Sequence, residues 1–219
     1  PRANHAFCGE TIKMKNSPWK VVEMFEENLA EYCGSPYAVV TDNCTDAIQM
    51  VCRYLGVKEA TIPCRTYLSV PQAIINAGAK VHLEERDWKG VYQLSPHPIY
   101  DAAKRFTSGM YMPGTYMCLS FHHKKTLKIG KGGAILTDDS KAVEWLKKYR
   151  YEGRDHIRDD IDICGMNAYM TPEQAARGLT LLQVLPEYNE DQVENPPYRD
   201  LRTMPLFERF GVSAVSEPE

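Results

Sequence analysis

Apolar residues recur along this chain with two different spacings, and each spacing predicts one kind of element. Val21, Phe25 and Leu29 are spaced as on one face of a helix, which we expect to run to Tyr32 from Ser17 as N-cap and Pro18 as first residue. Short apolar runs bounded by turn residues predict buried strands. The predicted strands are 37–41, 60–62, 80–84, 97–100, 116–121 and 133–137, and the further predicted helices are 47–55, 70–76, 140–149 and 171–185.

Strands and helices alternate through the first half of the chain, which is typical of an α/β protein. This order predicts a mainly parallel sheet flanked by helices, including a parallel strand at 37–41. Functional sites in such sheets lie at the carboxyl ends of the strands. Residues 85–97, 107–115 and 150–163 are predicted to be loops, the last of them exposed. Residues 186–219 are rich in proline and acidic residues and show no pattern of a second core.

Composition narrows the class of protein. The chain has 219 residues, 43% hydrophobic and 25% charged, with a net charge of −3, so nothing favours binding to nucleic acid or an anionic membrane. No apolar run approaches the roughly 20 residues that span a bilayer, and no signal segment opens the chain. Seven scattered cysteines without a C-x-x-C pair argue against disulfides and zinc and predict a cytoplasmic protein. Adjacent His122 and His123 would point to opposite faces of a strand, so no metal site is expected.

The segment between strands 116–121 and 133–137 is cationic and rich in glycine. It carries Lys124, Lys125, Lys128 and Lys131 and ends at Gly132-Gly133. Such a segment is either a solvated surface turn or a site for an anion or a reactive amine. A lysine that is desolvated or close to other cations loses its proton more easily and can form a Schiff base with a carbonyl cofactor.

Polar or aromatic residues follow three other predicted strands. Residues 42–46 stop one strand and open a helix, so they are either an anion site or a helix cap provided by Asn43 or Thr45. Tyr67 follows the next strand and fits either the core or a site. Asp101 follows strand 97–100 and fits either an N-cap or a site carboxylate.

These segments stand in the order found in one enzyme family. The chain resembles the DegT/StrS-type sugar-nucleotide aminotransferases, a branch of the fold type I enzymes that use pyridoxal 5'-phosphate (PLP). The matching motifs span roughly residues 20–185 and are Asp42-Asn-Cys-Thr-Asp-Ala-Ile48, Thr66-Tyr-Leu-Ser69, Asp101-Ala-Ala103, Ser120-Phe-x-x-x-Lys125, Gly132-Gly133-Ala134 and Gly165-x-Asn-x-x-Met170. The resemblance implies the large PLP-binding domain of fold type I in residues 1–185. It also implies that the small C-terminal domain is largely missing, with residues 186–219 as a vestigial segment.

The resemblance implies a role for each residue that would meet the cofactor ring. Lys125 would form the Schiff base and carry the proton between substrate and cofactor. Asp101 would pair with the pyridine nitrogen, and Tyr67 would stack on the ring. Lys104 stands where the family has Gln or His near the phenolic oxygen, and its cation would stabilise the phenolate.

A second group would hold the cofactor phosphate. Cys44, in place of the usual glycine, would offer its backbone N–H, and Thr45 and Ser120 would complete the site within the chain. Asn167 would reach the phosphate from a partner subunit, which implies a homodimer with shared active sites. Two further departures from the family pattern are Lys131, in place of an acidic residue, and Tyr169, in place of an arginine.

The implied function is transfer of an amino group from a donor, glutamate, to a keto-sugar nucleotide through PLP and pyridoxamine phosphate. Two alternatives stay open. One is another PLP reaction, dehydration or racemisation, and the other is a binding protein that keeps the fold without turnover.

Overall fold

The computed structural model describes residues 17–155, 161–194, 197–210 and 212–214. Its strands form a five-stranded and a three-stranded sheet, and an antiparallel bridge between Thr61 and Ser95 joins them. The strands are β1 (Tyr37–Thr41), β2 (Glu59–Pro63), β3 (Lys80–Glu84), β4 (Tyr92–Gln93), β5 (Ile99–Asp101), β6 (Tyr116–Ser120), β7 (Gly133–Thr137) and β8 (Ser213–Ala214). The α-helices are α1 (Lys20–Cys33), α2 (Cys44–Tyr54), α3 (Ser69–Asn76), α4 (Ser140–Tyr149), α5 (Pro172–Leu182) and α6 (Pro205–Glu208), and a 3₁₀ turn spans Leu201–Thr203.

The sheets are mixed, so the prediction of a mainly parallel sheet is wrong. The large sheet has the order β1-β7-β6-β5-β4, in which only β5 and β6 pair in parallel. The small sheet has the order β2-β3-β8 and is parallel. The chain turns back after β6 to form β7, and β1 pairs with β7 rather than with a parallel neighbour. β1, β5 and β6 nevertheless run in the same direction, so their carboxyl ends meet at one edge.

Both faces of the large sheet are covered, which explains the unbroken apolar runs of its strands. Val39 and Ile135 face a core packed by α2, α3 and α4. Their neighbours Val40 and Leu136 face a second core packed by α1 and α5. Because successive strand residues point to opposite faces, a strand between two helix layers must be apolar at every position.

The start of α1 differs from the prediction. The helix begins at Lys20 with Trp19 as N-cap, not at Pro18 with Ser17 as N-cap. Ser17 instead closes a turn before the helix, because its carbonyl accepts from the Lys20 N–H at 3.2 Å. At the other end, Gly34 adopts φ 71°, a left-handed conformation in which glycine avoids the strain of a side chain.

Residues 150–163 were predicted to be an exposed loop, and this is wrong at Arg150. Arg150 is buried, and its Nη1 lies 2.5 Å from Glu26 Oε1 and 2.5 Å from the Val40 carbonyl oxygen. Lys147 Nζ lies 2.9 Å from Glu26 Oε2. Charge density alone did not show that this arginine has a buried carboxylate partner on α1. Residues 156–160 of that loop lie outside the described residues.

The segment after α5 packs on the same body of the protein. Leu201 and Phe207 are buried in the core beneath α2 and α3, and β8 extends the small sheet beside β3. The described part of residues 186–214 therefore shares a core with the domain that precedes it. Among the residues described, no helix is long and apolar enough to cross a membrane.

Candidate active site

A cavity of about 550 Å³ opens at the edge where β1, β5 and β6 end. This is the strand end at which the sequence predicted a site. Seven predicted site residues line the cavity, namely Cys44, Thr45, Tyr67, Asp101, Lys104, Ser120 and Lys125. The fold thus brings together residues that are up to 81 positions apart, from Cys44 to Lys125 (125 − 44).

Asp101 is the last residue of β5 and is buried at 5% exposure. One carboxylate oxygen accepts from the Tyr92 hydroxyl at 2.9 Å and the other from the Ala103 N–H at 2.9 Å. Burial raises the pKa of Asp101, and these hydrogen bonds and the Lys125 and Lys104 cations act in the opposite direction. A positive group brought to this carboxylate would stabilise its charged form.

Lys125 differs from the other lysines of its segment. It lies in a turn after β6, where its N–H donates to the His122 carbonyl at 2.8 Å, and its side chain is partly buried, whereas Lys124, Lys128 and Lys131 are exposed. Burial and the nearby Lys104 cation lower the pKa of Lys125, against the effect of Asp101, Cys44 and Glu194. Lys124 and Lys131 also line the cavity, but their side chains are exposed, so partial burial is what distinguishes Lys125 as the candidate reactive amine.

The amino end of α2 forms another wall of the cavity. Asn43 caps the helix, with its side-chain oxygen 2.8 Å from the Asp46 nitrogen. The N–H groups of Cys44 and Thr45 lie in the first helical turn, where no carbonyl of the same helix is available to them. Cap and anion site are therefore compatible here, because the cap leaves two N–H groups and the positive end of the helix dipole at the cavity. The Thr45 hydroxyl lies 2.7 Å from that of Ser69.

Gly133 explains how β7 passes so close to this helix end. A Cβ at Gly133 would lie 2.4 Å from the Asn43 carbonyl carbon and 2.6 Å from the Cys44 nitrogen. Carbon atoms in good contact are about 3.5–4.0 Å apart. Only glycine allows the strand and the loop to keep their positions, so its place beside the predicted phosphate loop has a steric cause.

Aromatic side chains form the rim of the cavity. Tyr67 is 54% exposed, and its ring centroid lies 6.2 Å from that of Tyr198, edge to face. Trp88 stacks on Tyr198 with an angle of 13° between the ring planes. The sequence analysis identified Tyr67 but not Trp88 or Tyr198. In the sequence, these two stand out only as aromatic residues within polar stretches.

Four other residues of the site received no role from the sequence, although Thr66 and Ser69 lie within a motif quoted above, because their contacts form only in the fold. Thr66 lies with its hydroxyl 2.6 Å from that of Tyr92, which extends the hydrogen-bond chain behind Asp101. Glu194 forms an ion pair with Lys104 inside the cavity. The other two are Tyr92 and Ser69, described above.

Asn167 lies apart from the cavity of its own chain. It is exposed, and its side-chain nitrogen donates to Glu152 Oε1 at 2.7 Å. Its role in a partner's site stays a prediction.

His122 and His123 do not point to opposite faces, as expected for a strand. Their ring centroids are 3.9 Å apart, because the chain has left β6 and entered a turn. Among the residues described, one cluster has the spacing of metal ligands, formed by Cys64, Glu85 and Asp200. The Arg202 guanidinium pairs with both of its carboxylates and compensates their charge.

The family model for the DegT/DnrJ/EryC1/StrS aminotransferase family matches residues 16–113 and 111–202. The chain belongs to this family. GDP-perosamine synthase from Caulobacter vibrioides is 24% identical over an alignment of 227 residues, which covers 83% of this chain and 61% of that protein. UDP-2-acetamido-2-deoxy-3-oxo-D-glucuronate aminotransferase from Pseudomonas aeruginosa is 26% identical over 213 residues, covering 76% of this chain and 59% of that protein.

The solved structure of S. venezuelae DesV, described as a complex with a ketimine intermediate, shares the fold. Its TM-score is 0.64 and its sequence identity 24%, over 75% of this chain and 57% of that one. The chain therefore spans about three fifths of the length of the curated relatives that it matches.

Proposed function

We propose that this chain forms the cofactor-binding part of a PLP-dependent aminotransferase that moves an amino group from glutamate to a keto-sugar nucleotide. The observation that carries the proposal is the placement of a partly desolvated lysine, Lys125, and a buried carboxylate, Asp101, in one cavity. The acceptor class, a keto-sugar nucleotide, is supported by the names of the two curated relatives. One is a GDP-perosamine synthase and the other an aminotransferase of a UDP-linked oxo-glucuronate.

The donor set of the cavity fits PLP. The N–H groups of Cys44 and Thr45 and the Ser120 hydroxyl suit a phosphate. Because Gly133 has no side chain, β7 can pass this helix end without displacing it. Asp101 suits a protonated ring nitrogen, because a cation there would offset the cost of burying its charge. When bound, PLP supplies an aldehyde carbon for attachment of amines and a ring that withdraws electrons.

The residues would divide the work as follows. Lys125 would attach the cofactor through Nζ and then, once released, its neutral amine would take a proton from the substrate carbon and deliver it to the cofactor. Asp101 would hold the proton on the ring nitrogen, and Tyr92 would keep the carboxylate oriented through its hydroxyl. Tyr67 would cover one ring face, and Lys104 would stabilise the phenolate oxygen.

We further propose that the domain is of fold type I and acts as a homodimer, with Asn167 completing the partner's phosphate site. Exposure of Asn167 is compatible with such a contact. We also propose a reducing compartment, the cytoplasm, because the seven scattered cysteines have no spacing typical of a disulfide framework.

Borohydride reduction of the PLP-loaded protein, followed by peptide mapping, tests the attachment. We expect the reduced adduct on Lys125, and its loss in Lys125→Ala but not in the matched control Lys124→Ala, whose exposed side chain occupies the next position in the same turn. An adduct that maps to Lys124 or Lys128 would refute the assignment.

The reaction itself is tested in two halves. Glutamate alone should convert bound PLP to pyridoxamine phosphate and release 2-oxoglutarate, and a keto-sugar nucleotide should restore the PLP absorbance. If PLP binds but no amino acid yields a keto acid, the chain is a binding protein. If the first half proceeds and no keto-sugar nucleotide reverses it, the acceptor class is wrong.

A further inference from the structure

The segment after α5 returns across the cavity and is held there by several contacts. The Gln192 N–H donates to the Lys104 carbonyl at 2.8 Å, and the Gln192 side chain donates to the Lys124 carbonyl at 3.0 Å. Asp191 forms two hydrogen bonds with the Arg105 guanidinium, at 2.9 and 2.7 Å. This segment is therefore anchored on the loop after β5 and also on the turn that carries Lys125.

Its contribution to the cavity is the carboxylate of Glu194, which pairs with the Lys104 ammonium. The Lys104 side chain is 10% exposed, and its Nζ lies 5.6 Å from the centre of the Tyr198 ring. A lysine buried to this degree needs a partner for its charge. Glu194 supplies that partner from a position 90 residues further along the chain.

The cavity thus holds two lysines, and the charge of one affects the other. The groups that act on Lys125 from the surrounding elements are Lys104, Asp101, Cys44 and Glu194, and His122 and Lys124 lie on its own turn. Lys104 favours the neutral amine of Lys125, and Glu194 opposes it. With Glu194 in place, the positive charge that Lys125 experiences from Lys104 is partly cancelled.

We propose that Glu194 is a positioning residue that holds Lys104 at the cavity wall and, by balancing its charge, sets the reactivity of Lys125. The inference rests on the proposed function for its meaning, since Lys125 is the amine that the cofactor would use. The ion pair between Glu194 and Lys104 is present in the protein without PLP, so it can be tested in that form.

The alternative is that Glu194 only anchors its segment. The two roles differ in what they do to Lys125. A mere anchor could be replaced by Gln with no change in how Lys125 gains and loses its proton. A charge partner could not, because Gln would no longer offset the Lys104 charge, and the pKa of Lys125 would fall further.

The test is the pH dependence of labelling of Lys125 by limiting acetic anhydride, read by peptide mass on the protein without PLP. Because only the neutral amine reacts, Glu194→Gln should increase the labelling of Lys125 at neutral pH by roughly three- to tenfold, as expected for an unbalanced charge near a protein surface. Glu190→Gln is the matched control, since it removes the same charge from an exposed position of the same segment.

Two further variants complete the design. Lys104→Gln combined with Glu194→Gln should return the labelling toward that of the unmodified chain, because both charges are then absent. Glu194→Asp keeps the charge on a shorter side chain and should give a smaller increase in the labelling of Lys125. If Glu194→Gln does not fold, the labelling of Glu194→Asp is compared with that of the control instead.

Equal labelling of Lys125 in Glu194→Gln and Glu190→Gln, with both variants folded by circular dichroism, would overturn the proposal. So would an increase that persists when Lys104 is also replaced. Borohydride mapping on the loaded protein reports separately on the proposed function. An adduct absent from Lys125 would refute that function while leaving the charge effect measurable, and an adduct on Lys125 without the charge effect would refute only the role of Glu194.

Discussion

Replacement of Gly133 by alanine should separate phosphate binding from the rest of cofactor binding. The added Cβ would lie 2.4 Å from the Asn43 carbonyl carbon and 2.6 Å from the Cys44 nitrogen. Ordinary contact between carbons begins at about 3.5 Å, so β7 and the helix end must move apart by about 1 Å. Overpacking of this kind costs about 1–3 kcal/mol of folding stability.

The displacement acts directly on the N–H groups that would bind the phosphate. A hydrogen bond lengthened by about 1 Å from its usual 2.9 Å is no longer a hydrogen bond. Hydrogen bonds to charged groups contribute about 1.5–3 kcal/mol each. Loss of one of them would weaken PLP binding roughly ten- to hundredfold, because about 1.4 kcal/mol corresponds to a factor of ten.

The assay is titration of the protein with PLP and, in parallel, with pyridoxal, which carries the aldehyde and ring but no phosphate. Gly133→Ala should weaken PLP binding and leave pyridoxal binding nearly unchanged. Gly114→Ala is the matched control, since Gly114 is exposed, lies at φ 76° and would place its Cβ in open space. Its alanine should cost about 1–2 kcal/mol of stability through backbone strain without affecting either ligand.

Equal affinity of Gly133→Ala and the unmodified chain for PLP would refute this reasoning. An equal loss of affinity for PLP and pyridoxal would also contradict it, because the damage would then extend beyond the phosphate end of the cavity.

Three other predictions concern the buried charges. Arg150→Met should lower the free energy of unfolding by about 3–5 kcal/mol in a denaturant titration, since it leaves Glu26 buried without its main partner. Burial by itself would raise the pKa of Glu26, but the ion pairs with Arg150 and Lys147 outweigh it and lower the pKa below its ordinary 4.5. The carboxylate therefore stabilises the fold above that pH, and the contribution is lost as the pH falls through the lower, folded value. Unmodified protein should therefore lose more stability on acidification than Glu26→Gln, and parallel curves would contradict the sign. Tyr92→Phe removes a hydrogen bond that favours the charged form of Asp101, so the pKa of Asp101 should rise further. Carboxyl NMR measures this pKa, and an unchanged value would show that Tyr92 does not act on Asp101.

The strands and helices that build the site followed from local pattern because their causes are local. The run Gly133–Thr137 and the helix Ser140–Tyr149 have the predicted bounds, since each combines a clear apolar period with a turn or cap at its ends. The directions of the strands did not follow from local pattern. β1 has the composition of a parallel strand because both its faces are covered, and composition cannot show that its only neighbour, within the described residues, runs antiparallel.

The residues of the cavity divide in the same way. The motifs around Cys44, Asp101 and Lys125 stood out in the sequence because each lies at the end of a strand and has a chemical type that the family uses. Glu194 and the Arg150–Glu26 pair did not stand out, because an acid or an arginine in a charged stretch is usually solvated.

The sequence by itself determined the longer strands and helices and which three strand ends carry reactive groups, but it did not predict β4, which lies in the predicted loop 85–97, or β8 and α6. The tertiary structure alone decided the strand directions, the burial that distinguishes Lys125 from Lys124, and the pairing of Lys104 with a carboxylate 90 residues away. The physical reason is that burial and charge pairing depend on what lies nearby in space, and a residue's neighbours along the chain do not show which distant segment will return to cover it.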